Sequence, residues 1–187
     1  MDLCFEKEIS QPILRQHRDV YPSRTASRES YRPLITVTDY QADLQATALR
    51  VHCAQWAYWS WEETQRSLLT DPRYRLLVAQ DQPAAHPYAP WLGSLLYWIG
   101  LEHGELLYIY TDPQHRKRGI ATTLFSHMES QLRALPACLS LHLEVRASNH
   151  SAQSLYRRLQ MQETQMRKKY YADGEDAVIF TKEIGSP

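Results

Sequence analysis

The sequence predicts a mixed α/β fold: a mostly antiparallel sheet with one central parallel strand–helix–strand pair, flanked by helices. Three observations lead there. Leu106 to Thr111 is an apolar, aromatic and β-branched run, the pattern of a strand buried on both faces. After a short basic loop, Ile120, Ala121, Leu124, Phe125, Met128, Leu132 and Leu135 recur at spacings of three and four, one stripe along a helix that Pro136 is expected to end. Beyond it, Leu139, Leu141, Leu143 and Val145 alternate with Ser140, His142, Glu144 and Arg146, a strand with one polar face. Strand, helix and strand in that order make a parallel pair with a right-handed crossover.

The remaining elements follow in order. Residues 1–33 are polar, charged and weakly periodic, and read as an N-terminal extension, partly ordered or disordered, ahead of a domain over 34–187. Leu34 to Thr38 alternates as a short strand, and Asp39 is a candidate cap for a helix turning Leu44, Ala48 and Val51 inward. Ser60-Trp61-Glu62-Glu63 is a capping box, so a second helix is expected from Trp61 to about Leu69, stopped by Asp71-Pro72. Tyr74 to Gln80 and Trp91 to Ile99 read as strands, and Pro83, Pro87 and Pro90 make their connection a loop. Gly104-Glu105 reads as the turn into the Leu106 strand, which completes an antiparallel run. Ser148-Asn149 opens a helix with Ala152, Leu155, Tyr156 and Leu159 on one side. Met161 to Tyr171 and Asp176 to Ile184 form a closing hairpin.

Composition narrows the function classes. At 187 residues one domain is expected, with 43% hydrophobic and 22% charged residues, enough to bury a core without disulfides or metals. The 21 basic and 21 acidic residues balance, which argues against a nucleic-acid coat or a membrane-surface protein. Cys4, Cys53 and Cys138 are far apart and form no CxxC pair, so neither a disulfide framework nor a zinc site is signalled, and no metal is expected. There is no apolar run of spanning length and no signal-peptide h-region, so a reducing cytoplasm fits.

Two segments carry candidate chemistry. The first is the loop opening the central helix. Amides at a helix start lack partners and the helix dipole adds partial positive charge there. Arg116, Lys117 and Arg118 add full charges, and Gly119, without a Cβ, lets a ligand approach the backbone. This suits an anion, a phosphate or pyrophosphate; the plain alternative is a solvated basic turn. Neither a P-loop nor a GxGxxG signature is present. The second segment is Leu143 to Leu159. Glu144 lies near the carboxyl end of its strand, where ligands of open α/β sheets sit, and is a candidate general base or a surface carboxylate without a role. Asn149 suits a helix N-cap, and Tyr156 either fills core or donates a proton.

The pattern Arg116-x-x-Gly119-x-Ala121 between such a strand and helix resembles the acetyl-CoA-binding motif of the GNAT acetyltransferase superfamily. Leu143-Glu144-Val145-Arg146-Ala147-Ser148-Asn149, Ser154 to Leu159, and Lys169 to Ala177 are similar to the RimI-type N-terminal acetyltransferases within it, the ribosomal-protein alanine acetyltransferases. The resemblance covers about Leu34 to Ile184. It implies acetyl-CoA as co-substrate and direct acetyl transfer to a protein or peptide N-terminal amine, in the narrowest case the N-terminal alanine of a ribosomal protein. It further implies Glu144 as general base and Tyr156 as proton donor to the departing thiolate. Ile109, Tyr110 and Thr111 would hold the pantetheine arm, with a backbone N–H near Tyr110 for the oxyanion. Arg116, Lys117, Arg118, Gly119, Ile120 and Ala121 would form the pyrophosphate loop, Asn149 would contact CoA, and Trp59, Tyr170 and Tyr171 would flank the acceptor. The chain departs from the family at Tyr108 to Thr111, which are bulkier than usual, and at Gln160-Met161, where Gly-Phe is usual and the helix cap is put in question. Rival readings are an acetyltransferase for a small amine or a lysine side chain, and a non-catalytic acyl-CoA-binding module. Nucleic-acid binding through Arg157-Arg158 or Arg167-Lys168-Lys169 ranks last, since these read as solvated helix and strand positions.

Overall fold

The computed structural model describes residues 35–40, 49, 61–81 and 91–185. They include strands β1 (Ile35–Asp39), β2 (Tyr74–Asp81), β3 (Trp91–Ile99), β4 (His103–Thr111), β5 (Ser140–Arg146), β6 (Gln162–Arg167) and β7 (Ala177–Glu183). The helices are α1 (Trp61–Thr70), α2 (Ile120–Arg133) and α3 (His150–Arg158). The N-terminal extension, Trp59, the 82–90 loop and Leu44, Ala48 and Val51 of the first expected helix lie outside the described residues; of that helix Leu49 alone is described, helical and fully buried.

The strands form one sheet in the order β1-β2-β3-β4-β5-β7-β6. Every pair is antiparallel except β4–β5, which is parallel across the α2 crossover. Alternation along the strands separates two packed faces. Leu77, Ala79, Leu95 and Leu106 meet Leu124, Phe125, Met128 and Leu132 of α2 and Tyr156 of α3. Leu76, Val78 and Leu96 meet Leu49, with Leu68 of α1, Leu107 and Tyr108 packed alongside. No helix among the described residues is long and apolar enough to cross a membrane.

Three expectations are corrected. The Gly104-Glu105 turn does not form: β4 already begins at His103, and the reversal lies at Gly100, whose N–H donates to the His103 carbonyl at 2.7 Å. Gly104 is there for close approach, because a Cβ on it would lie 2.5 Å from Leu132 Cδ1. Gly93 in β3 does the same at the other end of α2, where a Cβ would meet Ile120 Cγ2 at 2.9 Å. The two glycines thus seat α2 low on the sheet along its length. Second, β4 is not buried on both faces: only Gly104 and Leu106 are, and Leu107 to Thr111 are half-buried. Third, α2 ends at Arg133 rather than at Pro136, with Ala134 N–H bonded to the Ser130 carbonyl, so Leu135 falls outside the stripe and is 37% exposed. Asp39, the candidate helix cap, is the last residue of β1, and its carboxylate accepts from Gln131 Nε2 of α2 at 3.3 Å; the start of the helix it is expected to cap lies outside the described residues.

The α3 helix forms despite the missing glycine. Gln160 takes the left-handed conformation, φ 62, normally given to glycine. Its N–H donates to the Arg157 carbonyl and that of Met161 to the Tyr156 carbonyl, both at 3.0 Å. This completes a Schellman cap.

Candidate active site

The site is built where β4 and β5 part. Their ladder has four pairs and ends at Leu106↔Leu143. The cause is a bulge: the β3–β4 register shifts between Leu96↔Tyr108 and Tyr97↔Leu106, leaving Leu107 as the extra residue. A bulge bends its strand and raises the local twist, so β4 turns away from β5 immediately after the last shared pair. Ile109, Tyr110 and Thr111 therefore lie on a stretch of β4 with no strand at its β5 side. Burial and the pressure of Asp112 raise the Tyr110 hydroxyl above its ordinary pKa, and Arg116 opposes them.

Glu144 is the first β5 residue beyond that ladder. Period-2 alternation buries Leu141, Leu143 and Val145 and turns Ser140, His142, Glu144 and Arg146 to the opposite face. The Glu144 side chain is 21% exposed and accepts from Arg167 Nη1. Glu144 is also the largest reason the Tyr170 pKa is raised, ahead of burial. Glu144, Arg167 and Tyr170 line a cleft of about 370 Å³ with His103, Glu105 and His142. Ser140 Oγ lies 2.8 Å from His142 Nε2, and the His103 and His142 rings meet edge-on at 5.3 Å. Burial first, then His103, lowers the His142 pKa, against Glu105 and Glu183. A larger cleft, about 490 Å³, between α1, β2 and the end of α2 contains none of the expected site residues.

Tyr156 comes from α3, on the other packed face. It is 5% exposed, with its ring 5.8 Å from Phe180. Burial, then Tyr171, raises its pKa far above the ordinary tyrosine value. Buried Gln153, which the sequence reading missed because glutamine carries no core signal, ties α3 to β5: its Nε2 donates to the Arg146 and Ala147 carbonyls at 3.1 and 2.9 Å.

At the start of α2, Gly119 is left-handed, φ 82, with no side chain capping the helix and nothing within 4 Å of where a Cβ would stand. Arg116, Lys117 and Arg118 are exposed and make no ion pair among the described residues. Ile120 is buried and Ala121 half-buried, anchoring the helix beneath the open loop. Asn149, by contrast, is engaged: its Oδ1 accepts from Ala152 N at 3.1 Å as the α3 N-cap.

The loop between β6 and β7 borders the parted strands. Tyr170 and Tyr171 meet edge-on at 5.2 Å. The Arg146 guanidinium lies 4.1 Å from the Tyr171 ring centroid and bonds Asp173 at 2.8 Å and Glu175 at 2.5 Å. Lys168 bonds Asp176 at 2.7 Å. The basic run at 167–169 is thus not simply solvated: Arg167 and Lys168 are both paired, and the strand order that sets Arg167 near Glu144 has no local sequence mark. Among the described residues no group of three or more His, Cys, Asp or Glu could hold a metal.

Comparison with known proteins bears on the family and the fold. The Acetyltransferase (GNAT) family matches residues 38–161. A Bacillus subtilis protein named as a candidate [ribosomal protein bS18]-alanine N-acetyltransferase is 33% identical over 123 residues, 65% of this chain and 77% of that protein. A Saccharolobus solfataricus N-alpha-acetyltransferase is 35% identical over 81 residues, 43% of this chain; the chain spans only 48% of that relative. The crystal structure of the ribosomal-protein-S18-alanine N-acetyltransferase from Escherichia coli superimposes with TM-score 0.64 at 26% identity, covering 82% of this chain and 96% of that one. Arabidopsis thaliana NAA60 in complex with a bisubstrate analogue shares the fold, with TM-score 0.70 at 19% identity over 81% of this chain and 99% of that one.

Proposed function

The chain belongs to the GNAT acetyltransferase family, and from that premise we propose that it moves acetyl from acetyl-CoA to the N-terminal amine of a protein, with alanine as the first residue to test. The observation that carries this reading is the placement of Glu144, one residue past the last β4–β5 pair and at the head of a polar cleft. The uncapped start of α2, with Gly119 open above it and three exposed cations beside it, suits the diphosphate of the acetyl donor. The edge of β4 at Ile109, Tyr110 and Thr111 suits its amide-bearing arm, which needs backbone partners. Bound there, acetyl-CoA supplies the thioester.

The chain's own groups supply the proton traffic. An α-amine, pKa near 8, arrives largely protonated at neutral pH. Glu144 takes its proton, directly or through a water. The freed amine attacks the thioester carbonyl, whose oxygen is met by a β4 amide near Tyr110, a contribution of about 3–4 kcal/mol in other enzymes. Tyr156 gives its proton to the departing sulfur; its raised pKa keeps that proton in place until it is needed. Glu144 and Tyr156 stand on opposite packed faces. In this reading the acceptor and the donor enter from opposite sides and meet in the gap between β4 and β5. Tyr170 and Tyr171 border the acceptor's path. The relatives named for ribosomal protein bS18 and for N-alpha-acetylation support the acceptor class.

The test is a panel of free-N-terminus peptides beginning with Ala, Ser or Met, set against polyamines and lysine peptides, with wild type and Glu144→Gln. We expect turnover on the Ala peptide and a kcat loss of about 10²–10⁴-fold in the variant, with acetyl-CoA binding by calorimetry intact. Preference for the small amines would overturn the acceptor class, and undiminished turnover in Glu144→Gln would remove the base.

A further inference from the structure

Three basic side chains lie near the loop between β6 and β7, and one is paired unlike the others. Arg146 and Lys168 are held by Asp173, Glu175 and Asp176, carboxylates of the loop between β6 and β7. Arg167, at the end of edge strand β6, is instead on Glu144, its Nη1 donating to Oε1. Its side chain is 48% exposed, against 21% for Glu144, so Arg167 is the solvent-side member of the pair. The guanidinium also has somewhere to go: its Cζ already lies 5.6 Å from the Tyr170 ring centroid, and Glu105 lines the same cleft.

We propose that Arg167 is an internal competitor for the acceptor. Its guanidinium occupies the place on Glu144 that the acceptor's ammonium has to take, so acceptor binding exchanges one cation for another and Arg167 sets acceptor affinity. Exchange follows when the ammonium is directed to Oε1, the oxygen that Arg167 already holds; Glu129, by contrast, keeps two cations by giving one oxygen to each, Arg133 on Oε1 and Lys182 on Oε2. This rests on the reading of Glu144 as the group that receives the acceptor amine.

Steady-state kinetics of the full chain with an alanine-starting peptide at saturating acetyl-CoA test it. In Arg167→Ala the acceptor KM falls about two- to fivefold, the range of a partly exposed ion pair, and kcat/KM rises. Salt gives the sharper readout. In wild type an ion pair is lost as one is gained, so KM changes little as NaCl is raised; in Arg167→Ala nothing is exchanged, so KM climbs with salt and the gap closes. Arg167→Lys keeps a cation at the position and stays near wild type. An unchanged or raised KM in Arg167→Ala, or a loss confined to kcat, would mean that Arg167 supports Glu144 rather than competes for it. Full turnover in Glu144→Gln would instead remove the underlying reading, and the two failures are separately visible.

Discussion

The two helices that flank β5 begin in opposite ways. The start of α3 is closed: Asn149 caps it through Ala152, and Glu175, reaching across from the loop between β6 and β7, accepts from the Ser148 amide at 2.8 Å. That end of the helix already has its anion, a carboxylate of the chain. The start of α2 is open: no side chain caps it, no acidic residue lies in its first turn, and the three residues before Gly119 are all basic. The electrostatic demand is the same at both ends, since each helix presents unpartnered amides and a positive dipole end. One is met within the protein and the other is not met by any side chain. Asn149 therefore reads first as structure, and the 116–121 loop is where the proposed donor site rests.

The comparison breaks if α2 is given an anion of its own. Gly119→Asp places a carboxylate at the open end, and Gly119→Asn is its uncharged twin; both side chains tolerate the left-handed φ of 82 better than others do. The acetyl-CoA KM should rise about tenfold, or about 1.4 kcal/mol, more in the Asp variant than in the Asn variant. Equal KM values would mean that charge at this helix end does not act on the donor.

The closed end can be opened by acid. The Ser148 hydroxyl and amide, then Arg146, hold the Glu175 carboxyl down from 4.5 to about 2. A folded pKa below the unfolded one adds stability that is complete above about pH 4.5 and is lost as pH falls toward 2. Because Glu175 lies at the surface the effect is modest. Melting curves should show Glu175→Gln a few degrees below wild type at pH 7, with the gap constant down to about pH 5 and closed near pH 2. A gap unchanged at pH 3 would show that the carboxylate's charge is not what ties the loop.

Much of this frame was legible in the chain. The Tyr74 and Trp91 strands announce themselves by apolar runs between proline-rich turns, and the α2 stripe by its spacing. The candidates Glu144 and Tyr156, and separately the 116–121 loop, came from short motifs, each confined to its own strand–loop–helix unit. The parting of β4 and β5 was not legible, because the bulge at Leu107 is a register event between two strands and leaves no local mark. Gly104 was misread for a related reason: its glycine serves Leu132 across the core, and sequence neighbours suggest only a turn. Arg167 reaches Glu144 only through the β5-β7-β6 order, in which the last hairpin folds back with its second strand inside.

The smallest effect lies at the other end of α3, where the same helix that is closed at its start is closed under strain. Gln160 holds φ 62 to complete the cap, and a side chain in that region costs roughly 1–2 kcal/mol relative to an ordinary helical conformation. Glycine removes the steric cost but adds freedom to the unfolded chain. The net gain expected for Gln160→Gly is about 0.5–1 kcal/mol, a rise in Tm of about 1–4 °C for a chain of this length. The substitution also asks whether the cap bears on chemistry, because the Tyr156 carbonyl is one of its two acceptors. The hydrogen bonds are formed with glutamine in place, so the Tyr156 ring should not move and kcat should match wild type. A Tm that falls instead would mean that the Gln160 side chain contributes more than its backbone strain costs.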